Sequence, residues 1–431
     1  MAVTPKERRS LLSSQARVQV PWIKVTIGSY TFGVFDKSTK KKIQTNEGVF
    51  EGFHTMYPNY IQSLDITKIN GQVNRYTLNI TYPITDKDDP NFFEKVFSSV
   101  SGTREIIFSY GDTAMPTYIY RNEKAIITNV SQTFDLQASS IKYVVKAVSG
   151  AALGTTSCLT FVSDGTARKP SDIIKGLWLN KSLGLQDMFT GMNTQNLNKL
   201  IPGDDAAVEI STKTNISALD YITYLVSCMI PSGTTVEQNR TNDIYVLTIH
   251  DDTSYDKLYY DSDISGPYFK ISKISHRVEK SDAYTIDIGY NTSTIVSSFN
   301  IENNENYSLF YDYQKQMYPE IYTRRLNENG QWEDLYSPTS MRRPDDFEVD
   351  AEDRVWWTKI TKFPVNATIT IQGLLRPAIL MTYVRLNVIF PGGHKHISSG
   401  LYIVTKQQDN ISGSGYRTTL SLVKISGDNL D

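Results

Sequence analysis

From Tyr76 to Tyr82 the chain reads Tyr-Thr-Leu-Asn-Ile-Thr-Tyr, apolar and polar residues in strict alternation. Strand side chains point to opposite faces with period two, so such a run specifies a half-buried β-strand. The same period recurs along most of the chain. Val25-Thr26-Ile27 and Tyr30-Thr31-Phe32 flank Gly28-Ser29 and read as a hairpin. Leu64-Asp65-Ile66-Thr67-Lys68-Ile69 alternates up to Asn70-Gly71, a tight-turn pair. Residues 106–108, 125–130 and 141–148 continue the pattern, and it returns from Tyr268 onward. The 27 Tyr agree with this, because aromatic and Thr-rich segments favour strands. The expected class is mainly β with α+β inserts.

Helical spacing is confined to short stretches. Pro90 opens a helix over 91–100 with Phe92, Phe93, Val96 and Phe97 on one face. Ser171 precedes Ile173, Ile174, Leu177 and Trp178, and residues 217–229 carry the stripe Leu219, Ile222, Leu225 and Val226. Pro231-Ser232-Gly233 ends that second helix.

Two parts of the chain also resemble each other. Ile66-x-Lys68-Ile69 followed by 76–82 matches Ile271-x-Lys273-Ile274 followed by Tyr284-Thr285-Ile286-x-Ile288-x-Tyr290. Residues 125–129 followed by 141–148 match 401–406 followed by 416–423. Any two amphipathic hairpins share alternation, so coincidence stands beside duplication. Two matches in the same order favour duplication. A separation of roughly 200 residues points to two copies of a whole domain rather than a solenoid.

Composition narrows the chemistry. Lys+Arg is 44 against Asp+Glu 46, a balance that argues against a dedicated nucleic-acid binder. Cys158 and Cys228, the only cysteines, cannot make a disulfide framework or a four-Cys zinc site. The five His are His54, His250, His276, His394 and His396. His250 before Asp251-Asp252 reads as a strand end entering an acidic turn. His394 and His396 would share a face on a strand, but no third ligand follows, and Pro391-Gly392-Gly393 before them favours a loop. No phosphate-cradling GxxxxGK[ST], GxGxxG or nucleophile-elbow GxSxG pattern occurs. Glu348–Asp353 reads as a solvated acidic loop. Tyr313, Tyr318 and Tyr322 could stack bases or sugars but suit a protein interface better, and Trp356-Trp357 beside Arg354 suit an interface or equally a seal of the insertion against a barrel. No catalytic, cofactor-binding or metal residue is therefore expected. No signal-peptide apolar stretch opens the chain and no run approaches the ~18 apolar residues of a span, so no membrane anchor is expected.

The C-terminal run carries a family pattern. Ile369-Thr370-Ile371 and Val384-Arg385-Leu386-Asn387-Val388 come first. Ser399-Gly400-Leu401-Tyr402-Ile403-Val404-Thr405-Lys406, a tip with Gly413 and Gly415, and Thr418-Thr419-Leu420-Ser421-Leu422-Val423 follow. This order resembles the closing part of the tail or baseplate hub proteins of contractile-tailed phages, related to the hub part of type VI secretion spike proteins. The resemblance implies two similar β-barrel tube domains plus inserted domains. The expected division is a flexible tail over 1–17, a first barrel over 18–150 and an α+β insert over 151–264. The second barrel would comprise 265–300 and 358–431, interrupted by an Asn- and Tyr-rich insertion over 301–357. It further implies a homotrimer whose six barrels form a pseudo-hexameric ring. That ring would meet a tail tube protein or tube-initiator ring on one face and a central spike on the other, with baseplate wedge or tape-measure proteins as further partners. Genomic DNA would pass the bore without sequence-specific binding. The expected place is the virion tail baseplate, after assembly in the host cytoplasm. The alternatives are a receptor- or glycan-binding tail protein and a cell-wall hydrolase.

Overall fold

The computed structural model describes residues 21–34, 43–45, 48–50, 60–84, 89–98, 104–112, 120–155, 157–229, 232, 244–250, 264, 267–274, 284–289, 296–303, 324–326, 332–334, 365–373, 380–381, 383–396 and 398–427. β1 (Pro21–Ile27) and β2 (Tyr30–Val34) form the expected hairpin, turning at Gly28 with φ +56°. Glycine takes that left-handed conformation without steric cost. A small ladder of β3 (Ile43–Thr45) with β4 (Gly48–Phe50) follows. β5 (Ile61–Ile69) pairs antiparallel with β6 (Arg75–Pro83), and Leu64, Ile66, Tyr76, Leu78 and Ile80 all point into one core. The helix Phe92–Ser98 lowers Phe93 and Val96 into it, where Phe93 meets Phe32, Tyr60, Tyr82 and Tyr143. β7 (Glu105–Asp112), β8 (Tyr120–Asp135) and β9 (Ser140–Ser149) complete the order β5-β6-β9-β8-β7-β1-β2. β2 lies back against β5, so this sheet curls around its own core.

The middle of the chain is α+β. β10 (Cys158–Phe161) pairs with β11 (Lys213–Ser217), and the helices Pro170–Leu179 and Ala218–Cys228 pack on each other. Ser217 caps the second helix, its Oγ accepting from the Asp220 backbone N–H at 3.1 Å. Ser171 lies inside the first turn of the other helix, where its hydroxyl donates to buried Asp205 at 2.5 Å. β12 (Ile244–His250) pairs antiparallel with β13 (Tyr268–Ile274). Tyr268, Phe269 and Ile271 are buried with Phe189, Ile222 and Leu225 of this part. The expected boundary at 265 lies before β13, whose buried side chains share the insert's core. Alternation marks a strand but not its neighbour, and the large side chains of β13 find their apolar partners on the helical insert.

The remaining strands are β14 (Tyr284–Gly289), β15 (Val296–Asn303), the small pair β16 (Arg324–Leu326) with β17 (Trp332–Asp334), then β18 (Val365–Gln372), β19 (Tyr383–Ile389), β20 (Gly400–Ser412) and β21 (Gly415–Gly427). β14 runs parallel to β19, with Ile286 opposite Leu386. The sequence match of 284–290 to 76–82 is therefore overturned as a structural correspondence, since β6 has only antiparallel partners.

The structural repeat lies elsewhere and is closer. The order β5-β6-β9-β8-β7 is reproduced by β15-β18-β21-β20-β19, with the same chain order and every pairing antiparallel. Leu64 opposite Leu78 corresponds to Phe299 opposite Ile369, and Leu78 opposite Val145 to Ile369 opposite Leu420. Both units bulge at the same place in the first strand, between Ile61 and Ser63 and between Val296 and Ser298. Both bulge again in the fourth, between Ile127 and Asn129 and between Val404 and Lys406. At that second bulge a threonine hydroxyl donates to the facing strand in each unit. Thr128 reaches the Lys146 carbonyl at 3.1 Å and Thr405 the Ser421 carbonyl at 3.2 Å. The sequence match of 125–129 and 141–148 to 401–406 and 416–423 falls in this register.

β21 buries Tyr416, Thr418, Leu420 and Leu422 and turns Arg417, Thr419 and Ser421 outward, the two faces its alternation predicts. Leu420 is packed among Ile369, Tyr402 and Leu422. Leu420→Asp would place a carboxylate there without a partner. The substitution should cost about 3 kcal/mol or more. Urea denaturation of the variant beside wild type checks this, with an unchanged midpoint counting against β21 as the centre of the second sheet.

Candidate functional site at the strand junction

The two units are joined by one strand. β20 pairs with β19 over Gly400–Ile403, then bulges at Thr405 and pairs with β5 from Lys406–Ile69 to Ser412–Ser63. β21 covers its other edge throughout. A β-bulge bends a strand and adds twist, which redirects the outer half of the hairpin out of its own sheet. The result is one 13-stranded sheet spanning both units. Ile411 and Tyr416, at the hairpin's tip, belong to the core of the first unit, and Tyr416 meets Tyr110 edge to face at 6.3 Å. On the outer face, the Asn410 amide donates to Asp65 Oδ1 at 2.5 Å across the junction.

The interior of the junction is polar. Glu123 on β8 is fully buried. Its Oε1 accepts from Lys68 Nζ of β5 at 2.7 Å and from the Tyr110 hydroxyl of β7 at 2.8 Å, and its Oε2 from the Tyr76 hydroxyl of β6 at 2.5 Å. Four strands thus meet on one carboxylate. Beside it, Gln407 stands opposite Lys68 in the ladder. Buried Asp409 accepts from Gln407 Nε2 at 2.7 Å and from the Thr418 hydroxyl at 2.6 Å. Neither group was singled out from sequence. The available signal was phase: Lys68 is in step with Leu64 and Ile66, and Glu123 with Ala125 and Ile127, so each was aimed inward.

The insert docks on the same place. Gly71, in the β5–β6 turn, donates its N–H to the Leu247 carbonyl of β12 at 3.0 Å, with φ +70°. Val246 of β12 shares a cluster with Leu401 and Ile403 of β20. His250, ending β12, stacks on Tyr268 with ring centroids 4.5 Å apart. Burial pulls its pKa down to about 3, assisted by the positive charges of Lys270 and Lys68. A pocket of about 180 Å³ opens here, lined by Lys199, Thr248, His250, Tyr268, Lys270 and Met381.

The remaining singled-out residues do not converge. His394 and His396 lie exposed in the β19–β20 connection, not on a strand, and His396 Nδ1 is bonded to the Ser398 hydroxyl at 2.6 Å. Cys158 is exposed on β10 and Cys228 is buried in the insert core. Among the described residues no group of three or more His, Cys, Asp or Glu could hold a metal ion, and no helix is long and apolar enough to cross a membrane. His54, His276, Tyr313, Tyr318, Tyr322, Glu348–Asp353, Arg354, Trp356 and Trp357 lie outside the described residues.

No family model and no curated protein matches the chain. Solved structures resemble its fold. A tail protein from Neisseria meningitidis MC58 matches with TM-score 0.47 at 11% identity, over 95% of this chain and 98% of that one. A 43 kDa tail protein of prophage MuSo2 from Shewanella oneidensis matches with TM-score 0.45 at 9% identity, over 94% and 98%. The E. coli c3393 protein, a type VI secretion component with structural similarity to T4 bacteriophage tail proteins, matches with TM-score 0.42 at 12% identity, over 86% and 74%.

Two outcomes are expected at the junction. Lys68→Met leaves Glu123 buried without its cation and should destabilise the chain by about 3–5 kcal/mol, while Lys68→Met with Glu123→Gln, which keeps an acceptor for the two tyrosine hydroxyls, recovers much of that loss. Additive losses in a denaturant double-mutant cycle would show that the pair is not coupled. The second outcome concerns acid. His250 in the unfolded chain takes up its proton near pH 6.5, well above its folded value of about 3. Stability is therefore lost as pH falls from about 6.5 toward 3. Thermal melts across that range should fall more steeply for wild type than for His250→Gln.

Proposed function

We propose that this chain is a structural subunit of a phage-type tail, a hub that joins a hexameric tail tube to a trimeric spike. The observation that carries the reading is the head-to-tail junction between two copies of one unit. The hairpin of the second unit completes the edge of the first. Such a contact is heterologous, and a heterologous contact closes into a ring when its rotation divides a full turn without translation along the axis. Three chains, each with two units, give six wall positions from one sequence. One face can then match a sixfold tube while the chain repeat still matches a threefold spike. The C-terminal resemblance to baseplate hub proteins supports the same reading.

In this reading the function lies in interfaces, and the chain performs no reaction. The bore admits genomic DNA without reading its sequence, and its lining avoids concentrated positive charge, which would hold phosphates. Tube, spike and neighbouring baseplate proteins are the partners, and the virion tail is the place of action.

Mass photometry of the purified full chain tests this, with a species of three times 48.8 kDa expected. Negative-stain averages should show a closed ring with six similar wall lobes. A chain that stays monomeric at micromolar concentration, or that releases soluble fragments from purified cell wall, overturns the reading.

A further inference from the structure

If β20 and β5 show how one unit holds the next, the chain must carry the same two halves once more, unused. The structural repeat locates both. The half that reaches out is the distal part of β20, Lys406–Ser412, seven residues from bulge to tip. Its equivalent is Asn129–Asp135 of β8, also seven residues from bulge to tip. β7 covers β8 only from Tyr120 to Ile126, and beyond the bulge β9 is its sole pairing partner among the described residues. The half that receives is β5, Ser63–Ile69. Its equivalent is β15, the terminal strand of the sheet, which among the described residues pairs with β18 alone.

The side chains tell the same story. Ile411 at the tip of β20 faces Leu64 and is buried in the neighbouring unit's core. Its counterpart Phe134 is 59% exposed, and Leu136 beside it is 88% exposed. These are two of the five large hydrophobic side chains that stand exposed among the described residues. The counterpart of Leu64 is Phe299, half-buried on β15. An open strand edge carrying exposed aromatics is a liability unless something covers it.

We propose that the distal half of β8 in one copy of this chain pairs antiparallel with the outer edge of β15 in a second copy. The register repeats the internal junction: Phe134 faces Phe299, Thr133 faces Asn300, Gln132 faces Ile301 and Ser131 faces Glu302. Phe134 then covers Phe299 and Ile301, as Ile411 covers Leu64 and Ile66. Thr133 and Asn300 take the outward place that Asn410 and Asp65 occupy inside the chain. The proposal rests on the tail-hub reading for the number of copies, but its register comes from this chain's own repeat.

The test uses the full chain. Phe134→Asp alters an exposed side chain, so its circular dichroism spectrum should match wild type while its trimer is lost by mass photometry. Separately, Phe134→Cys with Phe299→Cys, in a Cys158→Ser background, should form an intermolecular disulfide on mild oxidation. Phe134→Cys with Glu302→Cys, three residues out of register, should not. A trimeric Phe134→Asp, or a cross-link through position 302 and none through 299, overturns this pairing and leaves the hub reading standing. A monomeric wild-type chain overturns both.

Discussion

Strand β20 has one edge to offer beyond β21 and gives it to two partners in succession. Everything else in the architecture depends on that division. Had β20 stopped at its bulge, β5 would be an exposed, strongly apolar strand edge, and the first unit would lack Ile411 and Tyr416 from its core. Open backbone donors and acceptors on such an edge template pairing with whatever strand arrives. The bulge at Thr405 resolves two needs at once. It ends the pairing with β19, and it bends the hairpin onto β5 while the ladder to β21 resumes beyond it. The threonine hydroxyl bonded across to the Ser421 carbonyl occupies an acceptor at the point where the ladder is irregular.

Alternation by itself does not hold this junction in register. A slip of one residue would turn every apolar side chain to the wrong face and is excluded by burial alone. A slip of two would keep the faces and cost far less. The buried polar groups break that degeneracy. Lys68, Gln407, Asp409 and Thr418 are all inward, and each is placed against a named partner. A two-residue shift of β20 along β5 would move Gln407 and Asp409 past Lys68 and disturb Tyr416 against Tyr110. A shift of β5 against β8 would strand Glu123, fully buried, without its cation. Buried ion pairs seldom add net stability over apolar replacements, but breaking one is costly. Here the polar core sets position, and the apolar clusters on either side supply the driving force.

Much of the fold was legible as strands, and much less as pairings. The runs at 25–27, 30–32, 64–69, 76–82, 106–108, 141–148 and 416–423 all lie in strands, because period two is a local property. The helices Phe92–Ser98 and Ala218–Cys228 were legible from an apolar stripe, with Pro90 before the first and Pro231-Ser232-Gly233 after the second. Pairing is not local. Residues 284–290 look like 76–82, yet β14 lies parallel to β19, and nothing in Tyr-Thr-Ile-Asp-Ile states which strand will stand alongside. The alternation of β13 likewise does not name β12 as its partner. The repeat that did hold, 125–148 against 401–423, was readable because a hairpin is the one pairing that sequence order dictates. The buried Glu123 was hidden because a lone acidic residue in phase with Ala125 and Ile127 is indistinguishable from an edge-strand charge until Lys68 and two tyrosines are seen converging on it.

The two units agree where strands pair and differ where they are connected. β5 passes to β6 through the short turn at Asn70-Gly71, but the equivalent passage from β15 to β18 carries the segment that holds β16 and β17. The α+β insert enters between the units, and its β12 grips both the β5–β6 turn and β20. Loops tolerate such additions because little of the ladder depends on them. Register cannot drift in the same way, since the interior strands are constrained on both sides. A duplicated wall can therefore stay uniform along its hydrogen-bonded rim while its periphery becomes unlike from one unit to the next. In the proposed ring that division lets the sheet present six equivalent positions to one partner and the connections present three to another. The Gly71–Leu247 and Val246–Leu401 contacts fasten the insert to the strand wall.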